Sequence, residues 1–358
     1  MKNITKKVVV LFSSLFLSVS AFAGELTVTG SANASYVVNG GQANNTDKGL
    51  GISNELKFAA SGELDNGFTW SYFMELDGND SGAHDNDDSQ LSIGMGSMGT
   101  LTINDSEGGL STETADGIGA VGNGADFANT ADFTGYAQDV SDHGNIQYDS
   151  PADALPFGLA LSIAYVPNAT DGDNNSYKNS GVQNTAGGDG DSELMYRVKL
   201  APIDGLSLAA DYFDAEGTTG TNAQTLESGG WAANYALGNF EIGYKERYHA
   251  PAIGDKISAG GHSYTLKGMG IEVAVNDAVS ISYSEEKSEE KKYGAAVNAA
   301  AGASPFTRTT TEFESTFLMI AYDIGGATLG LTSVESSNSG YVAGADTTKT
   351  LATMSMAF

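Results

Sequence analysis

The 358-residue chain carries 17 Lys and Arg against 45 Asp and Glu, a net charge of −28, and has no cysteine. Nucleic acid is excluded as a partner because its phosphates need a basic face, and disulfides, zinc–thiolate sites and a cysteine nucleophile are excluded outright. Glycine is abundant at 46 residues and proline scarce at 6, a balance that suits tight turns and small strand residues better than a disordered tract.

Residues 1–23 read as an export signal. Lys2, Lys6 and Lys7 give a basic start, Val8 to Ser20 a short apolar run, and Ala21-Phe22-Ala23 a small-x-small site before Gly24. The apolar run is too short for a spanning helix, and no later segment approaches eighteen consecutive apolar residues. With residues 1–23 removed, the domain 24–358 keeps 14 basic against 45 acidic residues, a charge of −31.

From Gly24 onward apolar residues recur at every second position, the period of a strand with two unlike faces. The first segment carries Leu26, Val28, Tyr36 and Val38; the second Leu56, Phe58 and Ala60; the third Phe68, Trp70, Tyr72, Met74 and Leu76. Leu91–Met95, Leu101–Ile103, Ile146–Tyr148 and Phe157–Tyr165 follow, then Tyr196–Leu200, Leu206–Tyr212, Trp231–Leu237 and Phe240–Tyr244. Met269–Val275, Val279–Tyr283, Leu318–Ile324, Leu329–Leu331 and a last segment through Ala352, Met354, Met356 and Phe358 bring the count to sixteen.

The connections alternate in length. Short turns such as Asp65-Asn66-Gly67, Gly238-Asn239, Asn276-Asp277 and Gly325-Gly326 use residues that tolerate positive φ. Long polar connections fall near 39–50, 78–88, 105–143, 167–191, 215–227, 249–262, 288–311 and 337–348. An even number of antiparallel strands with short turns at one end and long loops at the other predicts an all-β transmembrane barrel in the cell outer membrane, surrounded by its lipids. Both ends of the chain then lie on the short-turn side, where the last strand can pair with the first and remove the sheet edge. Tyr36, Tyr165, Tyr196, Tyr212, Tyr244 and Tyr283 mark one interfacial belt, and Phe68, Phe157, Phe240 and Phe358 the other. A soluble sandwich or a solenoid accounts for strands and export but not for this rhythm, and no fixed repeat supports a solenoid.

Residues between the apolar beats should line the lumen, among them Glu55, Lys57, Glu75, Arg197, Lys199, Glu241, Lys245 and Arg247. Sixteen strands leave room for water inside. The connection from Asp105 to His143 holds eight acids and no Lys or Arg, yet also Leu110, Ile118, Val121, Phe127 and Phe133. That many apolar residues argue for a segment folded into the lumen, packed on the wall and narrowing the channel; an external acidic flap is the alternative.

The terminal Phe358 on an alternating strand, the sixteen segments and a long third connection after Gly99-Thr100-Leu101-Thr102-Ile103 together resemble the general porins of Gram-negative outer membranes. The resemblance implies a homotrimer, passive diffusion of ions and small hydrophilic solutes, and a constriction made by the third loop, here with Asp105, Glu107, Glu113, Asp116, Asp126 and Asp132 as its carboxylates. It also implies that the strand ending at Phe358 is read as an assembly signal by the barrel-insertion machinery. Lys57 fits the family's basic lumen position on the second strand, and Arg197, Lys199, Lys245 and Arg247 could extend that basic wall or sit near the rim. Asn104-Asp105 stands where the family commonly has Gly-Arg, so the constriction is expected to be more acidic and the channel mildly cation-selective.

No cofactor is expected, and no metal. The acidic stretch Asp77 to Asp88 lacks EF-hand spacing and reads as a solvated loop rather than a calcium site. His84, His143, His249 and His262 are assigned to loops or loop edges, in no recognisable nucleophile motif, so an enzyme is not expected. A substrate-specific channel and a structural or adhesive surface barrel remain as alternatives; the first would need aromatic residues along the lumen, where only Phe73 and Phe213 are expected.

Overall fold

The structure, a computed structural model, describes residues 26–41, 48–78, 84–105, 108–111, 139–140, 144–151, 155–167, 192–216, 222–255, 260–293 and 308–358. The first half of the strands comprises β1 (Thr27–Gly41), β2 (Lys48–Glu63), β3 (Thr69–Gly78), β4 (His84–Gly94), β5 (Thr100–Asp105), β6 (Asn145–Asp149), β7 (Ala160–Val166) and β8 (Ser192–Ile203). The second half comprises β9 (Leu206–Glu216), β10 (Glu227–Leu237), β11 (Phe240–Ala250), β12 (Gly261–Asn276), β13 (Val279–Tyr293), β14 (Arg308–Asp323), β15 (Thr328–Ser337) and β16 (Thr347–Ala357). Each strand pairs antiparallel with its sequence neighbours, and β1 pairs with β16 from Ser31↔Ala357 to Gly41↔Thr347, so the sheet closes into a barrel. Residues 1–23, the expected export signal, lie outside the described residues.

Period-two alternation separates the two faces. On β7, Leu161, Ile163 and Tyr165 are 40–43% exposed, whereas Ser162, Ala164 and Val166 are buried. The same outward exposure runs through Tyr196 and Val198 on β8, Ile242 on β11, Ile271 on β12, Tyr283 on β13 and Leu318 and Ile320 on β14. A continuous apolar band of this kind needs an apolar medium around it, since water-facing surfaces of monomers rarely carry apolar patches beyond a few hundred Å².

The short turns are built where glycine is required. Gly205, between β8 and β9, sits at φ 77, and an added Cβ would stand 2.2 Å from the Ala236 carbonyl oxygen. Phe157, expected at the start of a strand, instead occupies a 3-10 turn over Pro156–Gly158 at φ 63. Pro156 at the head of that turn cannot donate to a ladder, and β7 begins only at Ala160.

Several strands run further than the alternation of apolar residues suggests, β12 to β14 among them. β12, β13 and β14 have 16, 15 and 16 residues, against the ~9–11 that a tilted strand needs to span a bilayer core. Residues 288–293, read from sequence as loop, continue β13 in register with β12 and β14. The extension carries charge on its outward row: Lys287 Nζ lies 3.0 Å from Glu314 and 3.1 Å from Glu285, and Lys291 Nζ 3.3 Å from Glu289. Likewise His84–Asp88 begins β4, and His249 and His262 lie within β11 and β12 rather than in loops; His143 is outside the described residues.

Candidate functional site

The inward rows of the closed sheet form the candidate site, and their basic residues do not stand alone. Lys57 on β2 lies 3.4 Å from Glu75 on β3, with its Nζ 3.5 Å from the centre of the Phe73 ring, a cation–π contact that holds the stem along the wall. Arg247 on β11 donates from both Nη atoms to the carboxylate of Asp211 on β9, at 2.8 and 3.2 Å. Lys245, two residues earlier, reaches Glu286 on β13 at 2.6 Å. Lys292 and Glu290 pair at 2.7 Å further up β13. Burial makes the two pairings of β11 necessary: the side chains of Arg247 and Asp211 are fully buried, those of Lys245 and Glu286 nearly so, and a buried charge without a partner is costly.

Other inward carboxylates stand in register with small polar, apolar or acidic residues. Glu55 faces Ser31 and Asp77 across the two adjacent strands, while Glu241 faces Ala236 and Glu272. These three glutamates are half-buried.

The two described ends of the third connection meet on the inward face of β7 to β9. Leu110 and Val140 are fully buried in one cluster with Ala164, Val166, Met195 and Phe213. Asp139 holds the junction together. Its carboxylate accepts from the backbone N–H of Leu110, Ser111 and Val140 at 2.7–2.8 Å. Burial pushes the Asp139 carboxyl up from its ordinary pKa; the three N–H donors oppose this, and the Asp211 charge adds to it. Beside the junction, Gln90, Asn104 and Asn145 form an amide ladder at 2.8 and 2.9 Å, and Asn145 also donates to the Val140 carbonyl.

A second connection turns in as well. Tyr341, between β15 and β16, packs with Leu266 and Phe313 and shares a 2.6 Å hydrogen bond with Ser288. Its ring centre stands 5.4 Å from Tyr264, and burial pushes its hydroxyl up to about 12.

The expected site residues fall into three groups. Lys57, Arg197, Lys199, Lys245 and Arg247 all lie on inward rows, in register with Glu75, Asp211, Ala209, Gly268 and Gly230 respectively. Asp105 corrects the expectation for the constriction: as the last residue of β5 it shares the outward row of Leu101 and Ile103, because Thr102 and Asn104 take the inward positions. Glu107, Glu113, Asp116, Asp126 and Asp132 lie outside the described residues. Asp211, Glu286 and Asp139 are missing from the sequence reading of the site. Asp211 was detectable in principle, as a carboxylate between the outward beats of Ala210 and Tyr212, but its partner was not, since 36 residues and an intervening strand separate it from Arg247. Inward aromatics are also more numerous than expected, with Tyr264, Phe313, Phe317 and Tyr341 joining Phe73 and Phe213, yet Phe213, Phe313 and Phe317 are at most 2% exposed.

A family model described as Gram-negative porin matches residues 8–303. No curated protein matches the chain. Among solved structures, the anion-selective porin from Comamonas acidovorans superposes with a TM-score of 0.64 at 13% identity, covering 94% of this chain and 100% of that one. OmpF of Salmonella typhi in complex with daunomycin gives 0.62 at 11% identity, covering 94% and 98%. In-vitro folded OmpT of Vibrio cholerae, in trimer form, gives 0.59 at 11% identity, covering 94% and 99%. At such identities the likeness is one of fold.

Proposed function

The chain belongs to the Gram-negative porin family, and we propose that the diffusion channel it forms in the outer membrane passes cations in preference to anions. The observation that carries this reading is the pairing along the inward rows. Lys57, Lys245, Arg247 and Lys292 each sit against a carboxylate, while Glu55 stands in register with Ser31 and Asp77, and Glu241 with Ala236 and a second glutamate, Glu272. Paired bases present little field to a passing anion; clustered carboxylates raise the local concentration of cations. The chain as a whole, at −28, adds to the same sign. The anion-selective relative shares this fold, so selectivity follows from the side chains on the rows and not from the barrel.

The third connection is the narrowing element in this reading. The anchoring of Leu110 and Val140 on the inward face of β7 to β9 supports a segment directed into the lumen, with Glu107, Glu113, Asp116, Asp126 and Asp132 as its carboxylates. We further propose a homotrimer, supported by the trimer form of the Vibrio cholerae relative, embedded in outer-membrane lipids and inserted by the barrel-assembly machinery through the strand that ends at Phe358.

Reversal potentials in a KCl gradient across a planar bilayer test the selectivity. A cation-side potential that shrinks as salt rises is expected, since screening acts within about 10 Å at 0.1 M. An anion-side potential in dilute salt overturns the proposal.

A further inference from the structure

Arg247 and Lys245 reach carboxylates two strands away, not one. Neighbouring strands stand ~4.8 Å apart, so the gap to be crossed is about 10 Å, over a strand whose own inward side chain would ordinarily block the way. In both cases the blocking position is glycine. Arg247 is in register with Gly230 on β10, which is in turn in register with Asp211 on β9. Lys245 is in register with Gly268 on β12, which faces Glu286 on β13.

We propose that Gly230 and Gly268 are positioning residues for pore charge: they open windows through which the two basic side chains lie flat on the barrel wall and reach their acids instead of projecting into the channel. The inference rests on the porin reading above but not on which ion the channel prefers. Space, not backbone conformation, explains the glycines, since neither sits in the positive-φ region. A Cβ at Gly268 would stand 2.8 Å from Lys245 Cε and 3.0 Å from its Cγ, with no backbone atom closer. A Cβ at Gly230 would stand 2.7 Å from Arg247 Cγ and 3.1 Å from Nη1, and also 2.7 Å from the Glu246 carbonyl oxygen. Gly268→Ala is therefore the cleaner change, because only the flexible lysine has to move.

Displacing Lys245 parts it from Glu286 and sends its ammonium toward the barrel axis. The expected results for Gly268→Ala are a lower single-channel conductance and a reversal potential moved toward the anion side of the wild type, whichever sign the wild type has. In a Lys245→Met background the same glycine change should leave the reversal potential where Lys245→Met alone puts it. A water-soluble amine reagent followed by peptide mass spectrometry gives a readout that needs no variant: in the wild-type barrel Lys57, 36% exposed, should be modified while Lys245, 6% exposed, resists. In Gly268→Ala, Lys245 should become reactive. Equal reactivity of the two lysines in the wild type overturns the proposal, as does an anion-side shift that persists without Lys245. An anion-selective wild type in which Gly268→Ala still moves the potential further would sink the cation reading and leave the glycine windows standing.

Discussion

Asp139 shows what one buried carboxylate can do for a long connection. Leu110, Ser111 and Val140 are buried, and their N–H groups converge on its two oxygens. A buried donor without an acceptor costs about 1–3 kcal/mol. Asp139→Ala should accordingly loosen the base of the third connection while leaving the barrel folded, seen as faster amide exchange at residues 110 and 111 and noisier single-channel current. The same group predicts a pH dependence. Its folded pKa is raised by burial, so the folded state holds the proton more tightly than the unfolded one. Its contribution to stability is full below the unfolded value near pH 4 and falls as pH rises through the folded value. Asp139→Asn should flatten that fall in thermal midpoints measured upward from about pH 4.

The extended strands β12 to β14 place the boundary of the apolar band along each element. Tyr283 on β13 and Leu318 on β14 are the last large apolar residues of their outward rows before Glu285, Lys287 and Glu314 begin. Below that line an outward charge meets lipid; above it, solvent. Ile320→Lys, within the band, should lower unfolding free energy in lipid vesicles by about 2–4 kcal/mol. Lys287→Ala, above it, removes two solvent-exposed ion pairs and should cost far less. Comparable losses for the two would mean that the boundary lies elsewhere. The charged stretch of β13 also explains why its strand end escaped the sequence reading. Ser284 to Lys292 has no apolar beat to alternate with, so only pairing with β12 and β14 identifies it as strand.

Closure is a property of the whole molecule, and Phe358 lies at its seam. Its N–H donates to the Gly30 carbonyl at 2.9 Å, its own carbonyl accepts from Gly30 at 2.7 Å, and its ring lies over the Gly30 backbone, 70% exposed on the outward side. Deleting Phe358 removes both bonds and the ring. The expected outcome is a low yield of heat-modifiable, folded barrel in the outer membrane, with unchanged conductance in the barrels that do assemble; normal membrane levels would refute the assembly role.

Strand count, pairing order and the two faces were legible in the sequence. A barrel wall one residue thick obliges every second side chain to be apolar toward lipid, and that period survives in one dimension. Arg197, Lys199, Lys245 and Arg247 could be placed on inward rows for the same reason. Which acid each base meets was not legible, because an ion pair across two strands depends on register around the barrel and on whether Gly230 or Gly268 leaves the path open. Amino-acid order alone thus determined which side of the wall each residue takes; the charge that side presents to a passing ion was decided only when the closed sheet brought partners 36 residues apart to within 2.8 Å.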